Sequence, residues 1–328
     1  MTSKLLHGGL ATVFGGPGFV GRYVVRELAR RGWRVRAASR RPDLAGHLQP
    51  MGAVGQIHAV QANLRNPPSC QAAVAGADLV VNTVAIFSNS GKQTVKAVNI
   101  DGARTVARAA REAGARALVH VSAISADATS DSNYARSKAA AEAAVLEEFP
   151  EAIIIRPSIV FGPEDEFFNR FAGMARNAPV MPLIGGGRTR FQPVYVCDLA
   201  TAIVNAAEGK AGKPGTVYEV GGPDVRSFRQ LLDDTQRWAG RENGYVSMPF
   251  WLAKLQAILT APLPGSMRPI TLDQVRLLQK DNVVSEAARK EGRTIEALGI
   301  AQPRSASMIV PGYLERFKPR GQFAHYRA

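Results

Sequence analysis

A doubly wound α/β fold with a parallel sheet, joined to a smaller and mostly helical C-terminal domain, is the architecture that this 328-residue sequence predicts. Three observations predict it. A β-branched apolar run at Leu10–Phe14 stops at a glycine cluster, after which Val20, Val24 and Leu28 recur at helical spacing until Gly32, so the chain reads as strand, tight turn, helix. Strand-like runs then alternate with segments of ordinary helix length until six parallel strands can be drawn by Pro157. Beyond Gly162-Pro163 the alternation is lost, which divides the sequence into a first domain over 1–165, rejoined by 188–222, and a smaller region over 166–187 and 223–328.

Gly15, Gly18 and Gly21 have the spacing of a dinucleotide-binding turn, with Phe19 and Val20 in the first helical turn between them. Missing side chains let a pyrophosphate approach backbone N–H groups and the positive end of a helix. Pro17 withholds one such N–H. The second strand, Arg34–Ser39, ends in Ser39-Arg40-Arg41-Pro42, where an NAD-specific protein usually places an acid for the ribose hydroxyls. Ser39, Arg40 and Arg41 suit a 2′-phosphate instead, which puts NADP(H) ahead of NAD(H).

A third strand over 57–62 leads into Asn63-Leu64, and a fourth over 78–85 ends at Val84-Ala85. A long helix over 93–114 precedes the strand Ala117–Val121, and the sixth strand ends at Arg156-Pro157-Ser158-Ile159. Ligands of such sheets sit at the carboxyl ends of the strands, which makes Asn63, Leu64, Val84, Ala85, Val121, Pro157, Ser158 and Ile159 cofactor-binding candidates.

Tyr134 and Lys138, in a segment followed by an alanine-rich helix over 139–146, lie four apart and share one helix face. An ammonium beside a tyrosine favours the phenolate, and such a pair can relay a proton beside a nicotinamide while the lysine holds ribose hydroxyls.

The composition is that of a globular protein, 46% hydrophobic, with a net charge of +14. Such a field attracts phosphate, anionic lipid or an acidic partner. No nucleic-acid motif is present, and much of the excess clusters near the glycine turn, so nucleic acid is not the expected partner. Cys70 and Cys197 are far apart with no metal-ligand spacing, and neither a secretory signal nor a membrane span is expected.

Several motifs carry a resemblance. The turn Gly15 to Gly21, Asn99 in Val98-Asn99-Ile100-Asp101-Gly102, Tyr134 to Lys138, Arg156 to Pro163 and Val194-Tyr195-Val196-Cys197-Asp198-Leu199-Ala200 together resemble the extended short-chain dehydrogenase/reductases, over nearly the whole chain. More narrowly, Val13 to Val25, Phe149 to Ile154 and Gln192 to Val196 look like the reductase-fold accessory subunits of respiratory complex I, in a bacterial-type form. That resemblance implies a Rossmann domain, Asn99 among the cofactor-binding residues, tightly bound NADPH, complex I subunits as partners, and a role in stability or assembly near the quinone-binding region without established turnover. It also implies a peripheral position on the cytoplasmic face of the inner membrane, or the matrix side in a eukaryotic host.

One departure bears on turnover. The superfamily commonly closes Val-Ser-Ser at the end of the fifth strand with its catalytic serine, whereas this chain has Val121-Ser122-Ala123-Ile124-Ser125, which places Ala123 at that position. Ser122 and Ser125 remain as candidates; strand alternation gives Ser125 the parity of Ala123 if the strand runs that far, and Ser122 the opposite face.

In the second half, 164–176 reads as a helix, Gly185–Gly187 as a loop, 191–196 as a strand returning to the sheet region, 216–222 as a further strand, and Asp198 as the cap of a helix beginning at Leu199. Residues 249–264 combine an amphipathic helix bearing Trp251, Leu255 and Ile258 with a proline-broken extension, suited either to a membrane interface or to a buried domain helix. From Gln302 a tail with Arg304, Arg316, Lys318, Arg320 and Arg327 among aromatics reads as a segment ordered by a partner or an anionic surface. Two other readings stay open: an active NADP(H)-dependent reductase or epimerase, and a binding module that senses NADP(H) redox state.

Overall fold

The computed structural model describes residues 8–261, 270–319 and 321. Two compact units are present: the residues to Pro157 with Val196–Val220 and Val284–Gln302, and Ser158–Tyr195 with Gly221–Val283 and the residues from Pro303.

The first unit is built on a seven-stranded parallel sheet. Strands β1 (Leu10–Phe14), β2 (Arg34–Ser39), β3 (Ile57–Gln61), β4 (Leu79–Asn82), β5 (Ala117–Val121) and β6 (Ile153–Pro157) are joined by a seventh at Val217–Val220. The spatial order is Val217–Val220, β6, β5, β4, β1, β2, β3, so the chain reverses direction of growth between β1 and β4. Phe14 pairs with Ala38 on one side and Asn82 on the other, which brings the carboxyl ends of three strands to one crevice. Helices cover both faces, and the central strands β4 and β6 are accordingly rich in Val, Ile and Leu, whereas β2 and β3 towards the edge carry Arg34, Arg36 and His58. Helices α2 (Pro67–Val74), α3 (Asp101–Glu112) and α4 (Asn133–Glu148) bury Val74, Val106, Ala110 and Val145 against Val80, Leu118 and Ile154. Helix α1 (Phe19–Arg30) packs with Val196–Ala207. Arg104, Arg108 and Arg111 of α3 converge on Glu148 at the end of α4, at 3.7, 2.6 and 3.1 Å, and hold its carboxyl below the usual range.

The helix expected over 93–114 is interrupted: a π-helical turn at Lys96–Ile100 precedes α3 and directs Asn99 inward, where it is 2% exposed. Asp198 lies in the first turn of Val196–Ala207, a helix that begins two residues before the expected cap.

The second unit contains three strand pairs, Val160–Phe161 with Val194–Tyr195, Arg190–Phe191 with Arg226–Ser227, and Val180–Ile184 with Gly244–Met248. The strand expected over 191–196 is therefore not one strand and does not join the seven-stranded sheet. Pro193 has no N–H to give a ladder, and the two short strands on either side of it find different partners. Helices Phe168–Asn177, Phe228–Trp238 and Ala306–Leu314 close over Phe161, Phe168, Phe191 and Leu232. The tail is correspondingly folded as far as it is described: Val310 and Leu314 are fully buried, and the Arg304 guanidinium lies 4.6 Å from the centre of the Tyr195 ring. Arg320, Arg327 and the proline-containing stretch 262–269 lie outside the described residues. Among those described, no helix is long and apolar enough to cross a membrane.

Candidate dinucleotide site

The turn after β1 is held from both sides. The Gly15 N–H donates to the Ala38 carbonyl at 2.9 Å, and Thr83 donates to the Phe14 carbonyl through its N–H at 3.0 Å and its hydroxyl at 2.8 Å. Gly15 has φ +79°, a left-handed conformation that side chains resist, and a Cβ there would lie 2.7 Å from Thr83 Oγ1. A Cβ on Gly21 would lie 2.1 Å from the Gly15 carbonyl oxygen, so helix and turn touch backbone to backbone. Gly18 differs, because its nearest neighbour would be 3.1 Å away and its open side faces no described side chain. Gly18 starts α1 with no side-chain cap and no acid in the first turn, leaving the Phe19, Val20 and Gly21 N–H groups available to an anion. An uncapped helix start beside an open glycine has the geometry of a candidate anion cradle.

Ser39 ends β2 beside the turn after β1, and Arg40 follows it. The Ser39 hydroxyl is buried and has no hydrogen-bond partner, which is costly unless a ligand supplies one. The exposed Arg40 guanidinium makes no ion pair with any described residue, whereas Arg41 is engaged by Asp43 at 2.8 Å. An orphaned hydroxyl beside an uncommitted guanidinium is open to a ligand at this strand end. Asn63 follows β3, its side chain accepting from Arg65 N–H at 3.1 Å, and Leu64 packs under Gly102 of α3. Val84, whose N–H donates to Asn82 at 3.1 Å, reaches Gly15, and Ala85 follows it into the crevice.

Helix α4 delivers Tyr134 and Lys138 to the end of β5, and both are buried. The Lys138 ammonium donates to the Val121 carbonyl at 2.9 Å. Burial pushes its pKa down to about 8, partly offset by Glu142. Tyr134 does not show the phenolate bias expected of the pair: burial drives its pKa upward. The exposed Phe87 stacks on its ring at 4.5 Å between centroids. Asn99 spends its amide on Ile86, accepting at 2.9 Å and donating at 3.0 Å, and donates to Ser137 at 3.1 Å, which ties the loop after β4 to α4. His120 on β5 meets Asn82 at 3.2 Å, and burial together with the Lys138 charge lowers its pKa to about 3.

The serines separate clearly. Ser122 donates to the buried Glu142 carboxylate, which also accepts from Arg156 at 2.9 and 2.6 Å. Strand β5 stops at Val121, so Ser125 lies in the following turn and alternation gives it no face. Pro157 ends β6 in the first unit, and Ser158 and Ile159 begin the second, where Ser158 donates to Asn282 Oδ1 at 2.7 Å and Ile159 accepts from Val194 at 2.9 Å.

Residues 11–221 match the NAD dependent epimerase/dehydratase family. The chain belongs to that family. Among curated relatives of this family member, the mitochondrial NADH dehydrogenase [ubiquinone] 1 alpha subcomplex subunit 9 of Arabidopsis thaliana is 37% identical over 291 residues, covering 86% of this chain and 72% of the plant protein. The mitochondrial NADH-ubiquinone oxidoreductase 40 kDa subunit of Neurospora crassa is 26% identical over 97% of this chain and 82% of its own length. Among solved structures, an NADPH-dependent quinone oxidoreductase from Escherichia coli, complexed with NADPH, shares the fold with a TM-score of 0.71 at 20% identity, covering 93% and 99% of the two chains.

Two side chains in this epimerase-family site were not among the sequence candidates. Glu142 continues the face of Tyr134 and Lys138 by one more turn, a spacing that marks it in the sequence. Phe87 has no such signal, because only the folded loop brings it to Tyr134.

Lys138 gives a pH-dependent test. Its depressed pKa means that its contribution to stability is fullest above its ordinary value of 10.5 and is lost as pH falls towards about 8. The wild type should therefore gain on the order of 1–3 kcal/mol relative to Lys138→Met between neutral pH and pH above 10, measured by urea unfolding.

Proposed function

We propose that this chain is an accessory subunit of respiratory complex I that holds NADPH without turning it over. The observation that supports this reading is the surroundings of Tyr134: Ser122 donates to Glu142 and Phe87 stacks on the phenol ring, while the family motif aligns Ala123 with the usual serine and the start of α1 stays uncapped. The similarity to complex I subunits spans both units, which supports assembly rather than catalysis as the retained role.

In this reading the Phe19 to Gly21 N–H groups hold the pyrophosphate, Ser39 and Arg40 the 2′-phosphate, and Lys138 the nicotinamide ribose, with Asn63, Leu64, Val84, Ala85 and Val121 lining the crevice. Bound NADPH supplies a hydride donor; the residues of this chain orient and shield it. The protein sits peripherally on the nucleotide-bearing side of the inner membrane.

A tagged chain, isolated from gently solubilised native membranes, should bring down complex I subunits with stoichiometric NADPH, identified by mass spectrometry. Tyr134→Phe should co-purify at the wild-type level and keep its nucleotide, since the phenol has no part in assembly. A lone protein that exchanges cofactor freely and oxidises NADPH with carbonyl substrates, losing that activity in Tyr134→Phe, overturns the assignment in favour of an active reductase.

A further inference from the structure

The second unit carries a basic cavity of about 390 Å³ lined by Gly187, Arg188, Arg190, Val225, Ser227 and Arg229. Gly186 and Gly187 bring the Gly185–Gly187 turn into its lining. A Cβ on Gly187 would lie 2.8 Å from Arg229 Cβ and 3.0 Å from the Arg229 nitrogen, so this turn rests on the first turn of helix Phe228–Trp238. Phe228 N–H donates to the Thr189 carbonyl at 2.8 Å, fixing the same junction.

The three guanidinium groups are not equivalent. Arg190 is neutralised by Asp281 at 2.7 Å. Arg229 lies 3.9 Å from Asp233 and 5.6 Å from the centre of the Tyr245 ring. Arg188 forms no ion pair with any described residue, so the cavity keeps net positive charge. Guanidinium groups converging on a concave surface select phosphate.

The other side of the glycine turn is apolar. A Cβ on Gly185 would fall 2.2 Å from Phe250 Cζ, at the start of helix Phe250–Leu259. That helix buries Ala253 and Ala257 with Ile184 and Val275, while Trp251, Leu255, Ile258 and Leu259 are 67%, 44%, 56% and 70% exposed. Ten residues cannot span a bilayer, but such a face can lie among headgroups and upper acyl carbons. A soluble phosphate ester would satisfy the arginines and leave the apolar residues in water. An amphiphile satisfies both.

We infer that the second unit binds anionic phospholipid, its phosphate held in the cavity by Arg188 and Arg229 and its acyl layer receiving Trp251, Leu255, Ile258 and Leu259. This site does not depend on the complex I reading, since it needs no other subunit.

Flotation of the purified full chain with vesicles tests it. Vesicles containing roughly 20 mol% phosphatidylglycerol should bind at least about tenfold more tightly than pure phosphatidylcholine, and Arg188→Gln with Arg229→Gln should remove about tenfold of that affinity. Lys92→Gln with Lys290→Gln, which removes equal charge elsewhere, should cost less than about threefold. Trp251→Ser with Ile258→Ser should weaken binding to both vesicle types. Equal losses in the two charge variants, or no vesicle binding by the folded wild type, overturn the site. So does thermal stabilisation by glycerol 3-phosphate that is lost in the arginine variant while vesicles do not bind, which would identify a soluble phosphate ester as the ligand.

Discussion

Gly21→Val should unfold the first unit's nucleotide turn, whereas Gly18→Ala should leave the fold standing and damage only binding. At Gly21 the new Cβ would meet a backbone carbonyl oxygen at 2.1 Å, and neither α1 nor the turn can move without breaking the Gly15 to Ala38 hydrogen bond. The cost is overpacking against backbone, about 3 kcal/mol or more, and should appear as a fall of roughly 6–12 °C in thermal midpoint with loss of bound nucleotide. At Gly18 the nearest atom would be 3.1 Å from the added methyl, a contact that small shifts relieve. That methyl would project toward the cradle, so nucleotide affinity should fall with little change in the midpoint of the nucleotide-free protein. If the two variants behave alike, the division between a packing glycine and a binding glycine is wrong.

Arg40→Glu should lower NADPH affinity by roughly 10- to 100-fold while leaving NADH affinity nearly unchanged, because a charge-assisted hydrogen bond of about 1.5–3 kcal/mol is replaced by repulsion at the 2′-phosphate alone. Arg41→Glu should have a smaller effect, since Arg41 is already held by Asp43. Ser39→Ala separates the contributions further: its hydroxyl is buried without a partner, so the substitution should stabilise the empty protein and weaken NADPH binding together. Isothermal titration with both nucleotides measures all three. Equal losses for NADPH and NADH in Arg40→Glu would remove the 2′-phosphate assignment.

What the sequence made readable follows the range over which each signal acts. Strands β1, β2 and β5 have the bounds expected of them because β1 and β5 are short, mostly apolar runs and β2 alternates until Ser39-Arg40-Arg41-Pro42 ends it. The glycine turn and the pairing of Tyr134 with Lys138 are likewise local, fixed by strand-to-helix spacing and helix periodicity. The commitment of Ser122 to Glu142, whose carboxylate Arg156 also holds, depends on the end of β5, on α4 and on β6 together, and no window of sequence contains all three. Tyr134 shows the same limit from the other side. Its neighbour Lys138 suggested an eased ionisation, yet the folded chain turns that ammonium to the Val121 carbonyl and lays Phe87 on the phenol. The break of 191–196 was legible in Pro193, whose missing N–H argues against one continuous strand. The tail misleads for a different reason: its charges dominate the composition, but Val310 and Leu314, spaced one helical turn apart, decide its folding.

The three-segment composition of each unit has a consequence for how this protein is made. The chain changes unit at 157/158, 195/196, 220/221, 283/284 and 302/303. Segment Val284–Gln302 is bound to the last strand of the seven-stranded sheet, with Glu219 donating to the Arg293 carbonyl at 3.0 Å, Arg293 donating to Val217 at 2.8 Å, and Ser285 donating to the Glu219 carboxylate at 2.7 Å. Synthesis must therefore pass residue 302 before the seven-stranded sheet has its final edge covered. No single truncation isolates either half as a complete body, and a nick at any one crossing leaves fragments that hold each other by non-covalent contacts alone.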